Sequence, residues 1–127
     1  MAVAGAPDPR PDHAEAALAL ARGMLVAMGS WREANDLDLE LRIGLASGQV
    51  VAGVIGQKRI LFDLWGDTVN AASRMESSGV PGRIQVAPGS WELLRERHAF
   101  EPREVEVKGL GTMTTYLHTE AEPIQVR

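Results

Sequence analysis

The sequence predicts a mixed α+β fold, and three features of the chain indicate it. Near its start, a long segment places apolar residues at every third or fourth position, as one face of an amphipathic helix does. Several shorter segments further on alternate apolar and polar residues or are apolar throughout, as β-strands are. Helical and extended segments alternate along 127 residues without internal repeats or a linker, so we expect a single domain.

The first helix is predicted to follow a proline-rich segment. Pro7, Pro9 and Pro11 favour extended backbone. Asp12, with Glu15 three residues later, is typical of a capping box, so a helix should begin there. The apolar positions that follow keep the spacing of one buried stripe, which consists of Ala14, Ala17, Leu18, Ala21, Met24, Leu25 and Met28, with Trp31 as its extension.

The rest of the chain is predicted to alternate short strands and helices. The alternation from Leu39 to Leu45 indicates a strand, and the apolar run VVAGVIG is typical of a strand buried on both faces. Another short strand follows a basic loop in the segment QKRILFDLWG. The later elements are a helix from about Asp67 to Gly79, a strand in GRIQVA, a helix in PGSWELLRER with Pro88 in its first turn, and two strands in EVEVKG and TMTTYLHT.

Composition and charge exclude several classes of site. The chain has no cysteine, which excludes disulfides and thiolate metal sites. His13, His98 and His118 lack the spacing of metal ligands and are expected at the surface. A net charge of -4 provides no broad cationic surface for nucleic acid or anionic lipid. No apolar run reaches the roughly eighteen residues of a membrane span, and no secretion signal is visible, so we expect a cytoplasmic location.

The segment FDLWGDTVNAASRM, residues 62–75, carries the main candidate binding residues. Asn70 and Arg74 stand four residues apart on a predicted helix, so both side chains project from the same face. An amide beside a permanently cationic guanidinium suits a ligand that carries a sugar and phosphates. Asp63, at the end of the preceding strand, can accept a hydrogen bond from an exocyclic amine of a base. Lys108, in a loop with glycines on its C-terminal side, adds a second cation for a polyphosphate.

Each of these residues also has a purely structural interpretation. Arg74 can pair with Glu76 or with another acidic neighbour. Asn70 can cap the helix or bond to the backbone, and Asp63 can begin a turn. Lys108 can be a solvated surface lysine. Periodicity alone does not decide between the two interpretations.

The order of several motifs resembles one protein family. The segment LRIGLASGQVVAGVIGQKRILFDLWGDTVNAASRMESSGVPGRIQVA, followed by VEVKGLGTMTTYLH, is similar to the C-terminal part of class III adenylate and guanylate cyclase catalytic domains, most of all those of bacterial adenylate cyclases. The resemblance extends over nearly the whole chain. It implies a partial ferredoxin-like α/β sandwich, in which residues 1–119 form the C-terminal portion of the catalytic domain and residues 120–127 a polar tail.

The resemblance also implies a role for each candidate residue. Asp63 resembles the residue that accepts from the adenine amino group and favours ATP over GTP. Asn70 resembles the asparagine that holds the ribose and orients the attacking 3'-hydroxyl. Arg74 resembles the arginine that stabilises charge on the phosphates in the transition state, and Lys108 resembles the lysine that contacts the terminal phosphates. The implied reaction converts ATP to 3',5'-cyclic AMP and pyrophosphate.

The metal site of the family has no counterpart in this sequence. In the family, two aspartates on a first strand and in the hairpin that follows hold two Mg2+ or Mn2+ ions, with an adenine-selecting lysine nearby. Asp8 and Asp12 are the only early aspartates here, and their proline-rich segment does not resemble that site. We therefore expect a domain that lacks its N-terminal strand or strands, carries no metal ligands and is inactive alone.

The family also implies a partner, because its members are dimers with sites at the subunit interface. The partner is expected to be a second copy of this chain, in a homodimer, or a complementary cyclase protomer. Three interpretations remain: a truncated adenylate cyclase domain, a non-catalytic partner that lends Asn70 and Arg74 to a complete cyclase, and an unrelated α+β domain. Absent strands should also leave sheet edges and apolar helix surface uncovered, which favours self-association.

Overall fold

The computed structural model describes residues 2–5, 10–49, 51–55, 61–65, 67–107 and 111–119, with the backbone alone described for 51–55 and 61–65. Helices and strands are mixed along these ranges, which confirms the predicted α+β class. In chain order the elements are α1 (His13–Asn35), β1 (Ile43–Leu45), β2 (Val51–Ile55), β3 (Leu61–Trp65), α2 (Asp67–Ser77), β4 (Ile84–Val86), α3 (Pro88–Leu94), β5 (Phe100–Val107) and β6 (Gly111–His118).

Four of the strands form one sheet in the order β1-β4-β6-β5. β1 and β4 are parallel, with Ile43 opposite Ile84, whereas β6 is antiparallel to both β4 and β5. A parallel pair requires a crossover connection, and here the crossover contains β2, β3 and α2. β2 and β3 pair antiparallel as a separate two-stranded sheet. The helix with the candidate binding residues therefore belongs to the crossover.

The strand predicted from Leu39 to Leu45 is shorter in the structure. Only Ile43–Leu45 forms β1, because the partner strand β4 offers three residues to pair with. Leu39 precedes the strand and is 50% exposed. In the four-stranded sheet β1 is an edge strand that pairs with β4. The segment VVAGVIG does contain β2, but its side chains lie outside the described residues, and its burial stays a prediction.

α1 buries the first half of its predicted apolar stripe more completely than the second. Leu25 still packs against the core and Met28 is partly buried, but the prediction is wrong for Met24, which is 42% exposed, and for Trp31, which is 49% exposed. A helix of 23 residues is about 35 Å long, whereas β1 and β4 of three residues each span about 10 Å, so α1 is longer than the two short strands whose residues it covers. The buried residues around α1, named here the α1 cluster, are Ala14, Leu18, Ala21, Ile84, Val86 and Leu94.

The start of α1 lies where the capping box predicts it, but the capping bonds differ. Asp12 occupies the N-cap, yet its side chain makes no capping hydrogen bond. Its carboxylate instead accepts from Nε and Nη2 of Arg10, at 2.5 and 2.8 Å. Glu15 does not reach back to Asp12, because its Oε1 lies 2.8 Å from Nε2 of His98 near the end of α3. Asp12 therefore bonds to the segment before α1, and Glu15 links α1 to the residues that follow α3.

α2 is anchored by a second buried cluster. Met75 is fully buried and belongs with Ala87 and Val107 to one group, named here the α2 cluster. β1 lies against the same helix, since a Cβ added at Gly44 would overlap the backbone of α2. Glu76 adds an ion pair of 2.6 Å to Nε of Arg42. The direction of α2 is thus set by backbone contact, apolar burial and charge together.

The region of α3 and β6 corrects two smaller predictions. Pro88 does lie in the first turn of α3, but the helix ends at Leu94 and the residues to Arg97 form turns. His118 is buried rather than at the surface, with its ring edge-on to Phe100 at 5.4 Å between centroids. No helix in the described ranges combines the length and hydropathy that crossing a bilayer requires.

Candidate functional site

The candidate site is centred on the outer face of α2. Asn70 and Arg74 lie one helical turn apart, so their Cβ atoms are separated by about 6 Å. Asn70 is exposed and Arg74 is partly buried. On a helical projection both residues lie opposite Ala72, the residue that contacts Gly44 of β1. The amide and the guanidinium therefore point away from the sheet.

The structural roles considered for Asn70 and Arg74 are not observed among the described contacts. Glu76, the nearest acidic candidate on the same helix, is paired with Arg42 instead. Within the described part of the chain, no carboxylate lies within ion-pair distance of Arg74. The Asn70 amide likewise makes no hydrogen bond to a described residue. Both groups are thus available to a ligand.

The N-terminal end of α2 is held by a short contact with the loop after β1. The Thr68 hydroxyl donates to the carbonyl oxygen of Gln49 at 2.6 Å. A Cβ at Gly48 would collide with the same hydroxyl, so that glycine allows the loop to approach. This contact fixes the first turn of α2, which contains Asn70.

Asp63 lies on β3, the strand that leads into α2. Its backbone pairs with Gly53 of β2, and β3 contacts α2. Asp63 therefore lies on the predicted strand, but in the middle of β3 rather than at its end. The direction of its carboxylate lies outside the described residues, and its role in base selection stays a prediction.

Lys108 itself lies outside the described residues, but the strand ends on both sides of its loop are described. Val107 is only 2% exposed and belongs to the α2 cluster together with Met75. Val107 pairs with Gly111, whose φ of 76° is a left-handed conformation that favours glycine. The residue before Lys108 and the residue after Arg74 therefore meet in one buried cluster.

Two cavities lie between α1, β1 and α2, and neither is lined by the candidate residues. A groove of about 800 Å³ is lined on the α2 side by Val69, Ala72, Ser73 and Glu76. A smaller cavity of about 230 Å³ reaches Thr68 and Ala72. Asn70 and Arg74 lie on the other side of the helix. They form an open surface rather than the wall of a described cavity.

The described residues do not fit a divalent-metal site. No three Asp, Glu or His side chains among them are placed to share an ion. Asp12 is engaged with Arg10, whose hydrogen bonds hold the pKa of the Asp12 carboxyl below its ordinary value. Asp8 lies outside the described residues. Of the two early aspartates, the described one is thus committed to an arginine.

Sequence reasoning missed a set of buried polar residues behind α2. Gln85 and Thr115 are both fully buried, on β4 and β6. The available signal was a glutamine in the middle of GRIQVA, a segment that otherwise reads as a buried apolar strand. A search for amphipathic periodicity does not detect such residues, because a polar residue at a buried position only weakens the apolar pattern.

The comparison with known protein families identifies this arrangement. Residues 1–120 match the family model described as the adenylate and guanylate cyclase catalytic domain. The chain belongs to this family. The interpretation as an unrelated α+β domain is therefore excluded, and the resemblance predicted from the motifs is confirmed. Catalytic domains of this family generally use divalent metal ions and bind a nucleotide substrate.

The relatives and solved structures that resemble the chain include both kinds of cyclase. An adenylate cyclase of Mycobacterium tuberculosis is 41% identical over 132 residues, which span 100% of this chain and 30% of that relative. The soluble guanylate cyclase 89Da of Drosophila melanogaster is 48% identical over 118 residues, spanning 91% of this chain and 17% of that relative. The family match thus does not choose between the two purine nucleotides.

The fold is that of a solved cyclase domain. The crystal structure of the guanylate cyclase domain of RhGC from Catenaria anguillulae, in complex with GTP, superimposes with a TM-score of 0.83 and 39% identity. The match covers 91% of this chain and 64% of that chain. The predicted cyclase fold is therefore confirmed for a part of the domain.

Proposed function

We propose that this chain is part of an adenylate cyclase catalytic domain and supplies one half of an active site. The observation that carries the proposal is the open face of α2. Asn70 and Arg74 point away from the sheet, without a partner among the described residues and without lining either described cavity. A polar pair of this kind becomes a pocket when a second surface covers it.

The proposed reaction converts ATP to 3',5'-cyclic AMP and pyrophosphate. The 3'-hydroxyl oxygen attacks the α-phosphorus, and the bond from that phosphorus to the bridging oxygen of the pyrophosphate breaks. Asn70 orients the ribose for this attack, and Arg74 stabilises the charge that develops on the phosphate oxygens. Lys108 contacts the terminal phosphates. Asp63 accepts from the adenine amino group and so selects ATP.

The divalent ions of the reaction belong to the other half of the site in this proposal. The described residues hold no group of three metal-ligating side chains, and in this proposal the partner protomer supplies the ligands. When bound, the ions neutralise the triphosphate and activate the nucleophile. The chain alone is therefore proposed to be inactive.

A second candidate function is a non-catalytic partner subunit. In this role the chain pairs with a full-length cyclase and completes a site that the cyclase cannot complete alone. The observation that favours it is again the accessible Asn70 and Arg74 pair, which needs no metal ligands in its own chain. The two candidates differ in whether the physiological partner is another copy or a distinct protomer.

Complementation tests the half-site. The chain is mixed with a cyclase protomer that keeps its metal aspartates but has its own asparagine and arginine disabled. Cyclic AMP formation should appear in the mixture, fall strongly to a low residual rate with Arg74→Ala and persist with Arg97→Ala, an exposed arginine beyond α3. Subunits that associate, as shown by light scattering, yet remain inactive would contradict the proposal.

A further inference from the structure

A buried amide lies directly behind the C-terminal turn of α2. Gln85 is the middle residue of β4 and is 0% exposed. Its neighbours Ile84 and Val86 face the α1 cluster, so Gln85 projects from the other side of the strand. Burying an amide is unfavourable unless its hydrogen bonds are satisfied, which raises the question of what this side chain holds.

Every hydrogen-bonding position of the Gln85 amide is used. Nε2 donates to the carbonyl oxygen of Met75 at 2.9 Å and lies 3.0 Å from the hydroxyl of Ser78. Oε1 accepts from Nη1 of Arg103 at 2.7 Å and from the hydroxyl of Thr115 at 2.8 Å. Because an amide has two donor hydrogens and two acceptor lone pairs, this set leaves one orientation for the side chain.

Gln85 bonds to a carbonyl in the last turn of α2 that lacks a backbone donor. α2 ends at Ser77, and the amides of Ser78 and Gly79 donate to the carbonyls of Arg74 and Glu76, which leaves the Met75 carbonyl without an amide donor among the described residues. Gln85 satisfies that of Met75, and Ser78 donates to that of Arg74 through its hydroxyl at 2.7 Å and its amide at 2.9 Å. A chain of two hydrogen bonds therefore joins the Gln85 amide to the backbone of Arg74.

Arg103 reinforces the same turn. Its Nη1 also donates to the carbonyl oxygen of Ser78 at 2.9 Å. A cation at a helix C-terminus complements the partial negative charge of the unpaired carbonyls. Thus β4 and β5 each contribute one polar side chain to the helix end, and Thr115 of β6 holds the Gln85 amide behind it.

We propose that Gln85 is a positioning residue for Arg74. Gln85 does not touch the substrate. It fixes the last turn of α2 through Met75 and Ser78, and this turn sets the direction in which the Arg74 guanidinium projects. The inference rests on the proposed function for the reaction that Arg74 serves, whereas the mechanical link can be measured without that reaction.

The first measurement is amide hydrogen exchange in the isolated chain, followed by NMR. Gln85→Glu keeps the size of the side chain and its acceptors for Arg103 and Thr115, but replaces the donor facing Met75 with an acceptor. The amides of Ser78 and Gly79, which close the end of α2, should exchange about tenfold faster. The amides that pair β5 with β6 should keep their rates. Ile84→Val, on the same strand but facing the α1 cluster, is the matched control. It should leave unchanged the ratio between the exchange rates at the end of α2 and those of the β5–β6 amides.

Equal acceleration in both regions, or none in either, would overturn the inference, because Gln85 would then stabilise the whole domain or nothing in particular. Gln85→Leu provides a second variant that removes all four bonds and should give a larger ratio. A variant that does not fold is replaced by Thr115→Val, which removes one bond to Oε1 and should change the same ratio to a smaller extent.

The second measurement is turnover in the complemented mixture. Gln85→Glu should lower kcat about tenfold with KM for ATP changed less than about twofold, since Arg74 acts on the transition state. In the Arg74→Ala background the same substitution should have no further effect on kcat. If Gln85→Glu lowers kcat by the same factor in the Arg74→Ala background as in the wild type, the two residues act independently and Gln85 does not position Arg74. If the wild-type mixture shows no turnover, the half-site proposal fails, while the exchange ratio still decides whether Gln85 fixes the turn that carries Arg74.

Discussion

Gly44 on β1 lies directly against the backbone of Glu76 on α2, so closely that no side chain fits between them. A Cβ at Gly44 would also lie 2.6 Å from the carbonyl oxygen of Ala72, a distance that real Cβ atoms do not adopt. The edge strand and the helix that carries Asn70 and Arg74 therefore share a backbone contact. The position of the candidate site depends on the absence of one methyl group.

Gly44→Ala should destabilise the domain strongly. The obstructing atoms are backbone atoms of a helix and cannot rotate away, so α2 must shift from β1, at a cost of about 3 kcal/mol or more. Gly23→Ala is the matched control, because Gly23 lies within α1 with open space around it. That change should stabilise the domain by about 0.5 to 1 kcal/mol. Urea unfolding followed by circular dichroism measures both, and equal midpoints for the two variants would contradict the contact.

The chain alone should make no cyclic AMP above background from ATP with Mg2+ or Mn2+, even at high protein concentration. The described residues offer no cluster of metal-binding side chains, so neutralisation of the triphosphate has to come from elsewhere. Mass spectrometry of the product across a range of protein concentrations is the measurement. Robust metal-dependent turnover that disappears in Arg74→Ala would show that the chain provides a metal site of its own.

A complemented site should prefer ATP to GTP. In the proposed site the Asp63 carboxylate would accept from the adenine amino group but oppose the guanine carbonyl oxygen, and an unmatched buried acceptor pair costs about 1 to 3 kcal/mol. The ratio of kcat/KM for the two nucleotides should thus favour ATP and fall in Asp63→Ala. Asp38→Ala, which removes an exposed carboxylate beside Arg32, is the control. Equal use of both nucleotides, unchanged by Asp63→Ala, would mean that this position does not read the base.

The chain should associate with itself in solution. Met24 and Trp31 on α1 are exposed, and Met24 lines the same groove as the edge strand β1, so the described surface offers both apolar side chains and a sheet edge. Light scattering after size-exclusion chromatography, across a dilution series, should show a mass above that of the monomer. Trp31→Lys should shift the distribution towards monomer, whereas Leu93→Lys, at an exposed position on α3, should not. A sharp monomer with a cooperative thermal transition at low concentration would contradict the prediction.

The elements that the sequence predicts best are those in which local signals and packing agree. α2 has a polar face, small residues towards the sheet and Gly79 beyond its end, and its predicted and observed bounds agree to within two residues. α1 shows the opposite case. Its periodicity predicts a stripe that continues to Trp31, but burial depends on how far the neighbouring sheet extends, which the helix sequence does not encode.

The residues of the candidate site could be predicted from the sequence, but the hydrogen bonds that hold them in place could not. The spacing of Asn70 and Arg74 predicts that they share a face, and the structure places them on one. The support behind that face could not be predicted, because the bonds of Gln85 cross from β4 to α2, β5 and β6. Such bonds join residues far apart in the chain, and local periodicity carries no information about them.

The two faces of β4 tolerate substitution differently: one packs on the apolar α1 cluster, and the other carries the buried amide of Gln85. Ile84 and Val86 contribute to the α1 cluster, whereas Gln85 faces the end of α2. Exchanges among aliphatic residues in the α1 cluster alter contacts on one side of the strand and leave the polar side intact. Lineages can thus drift in the first helix while keeping the geometry of Arg74. Drift at Gln85 has no such freedom, because one amide serves partners on three other elements at once.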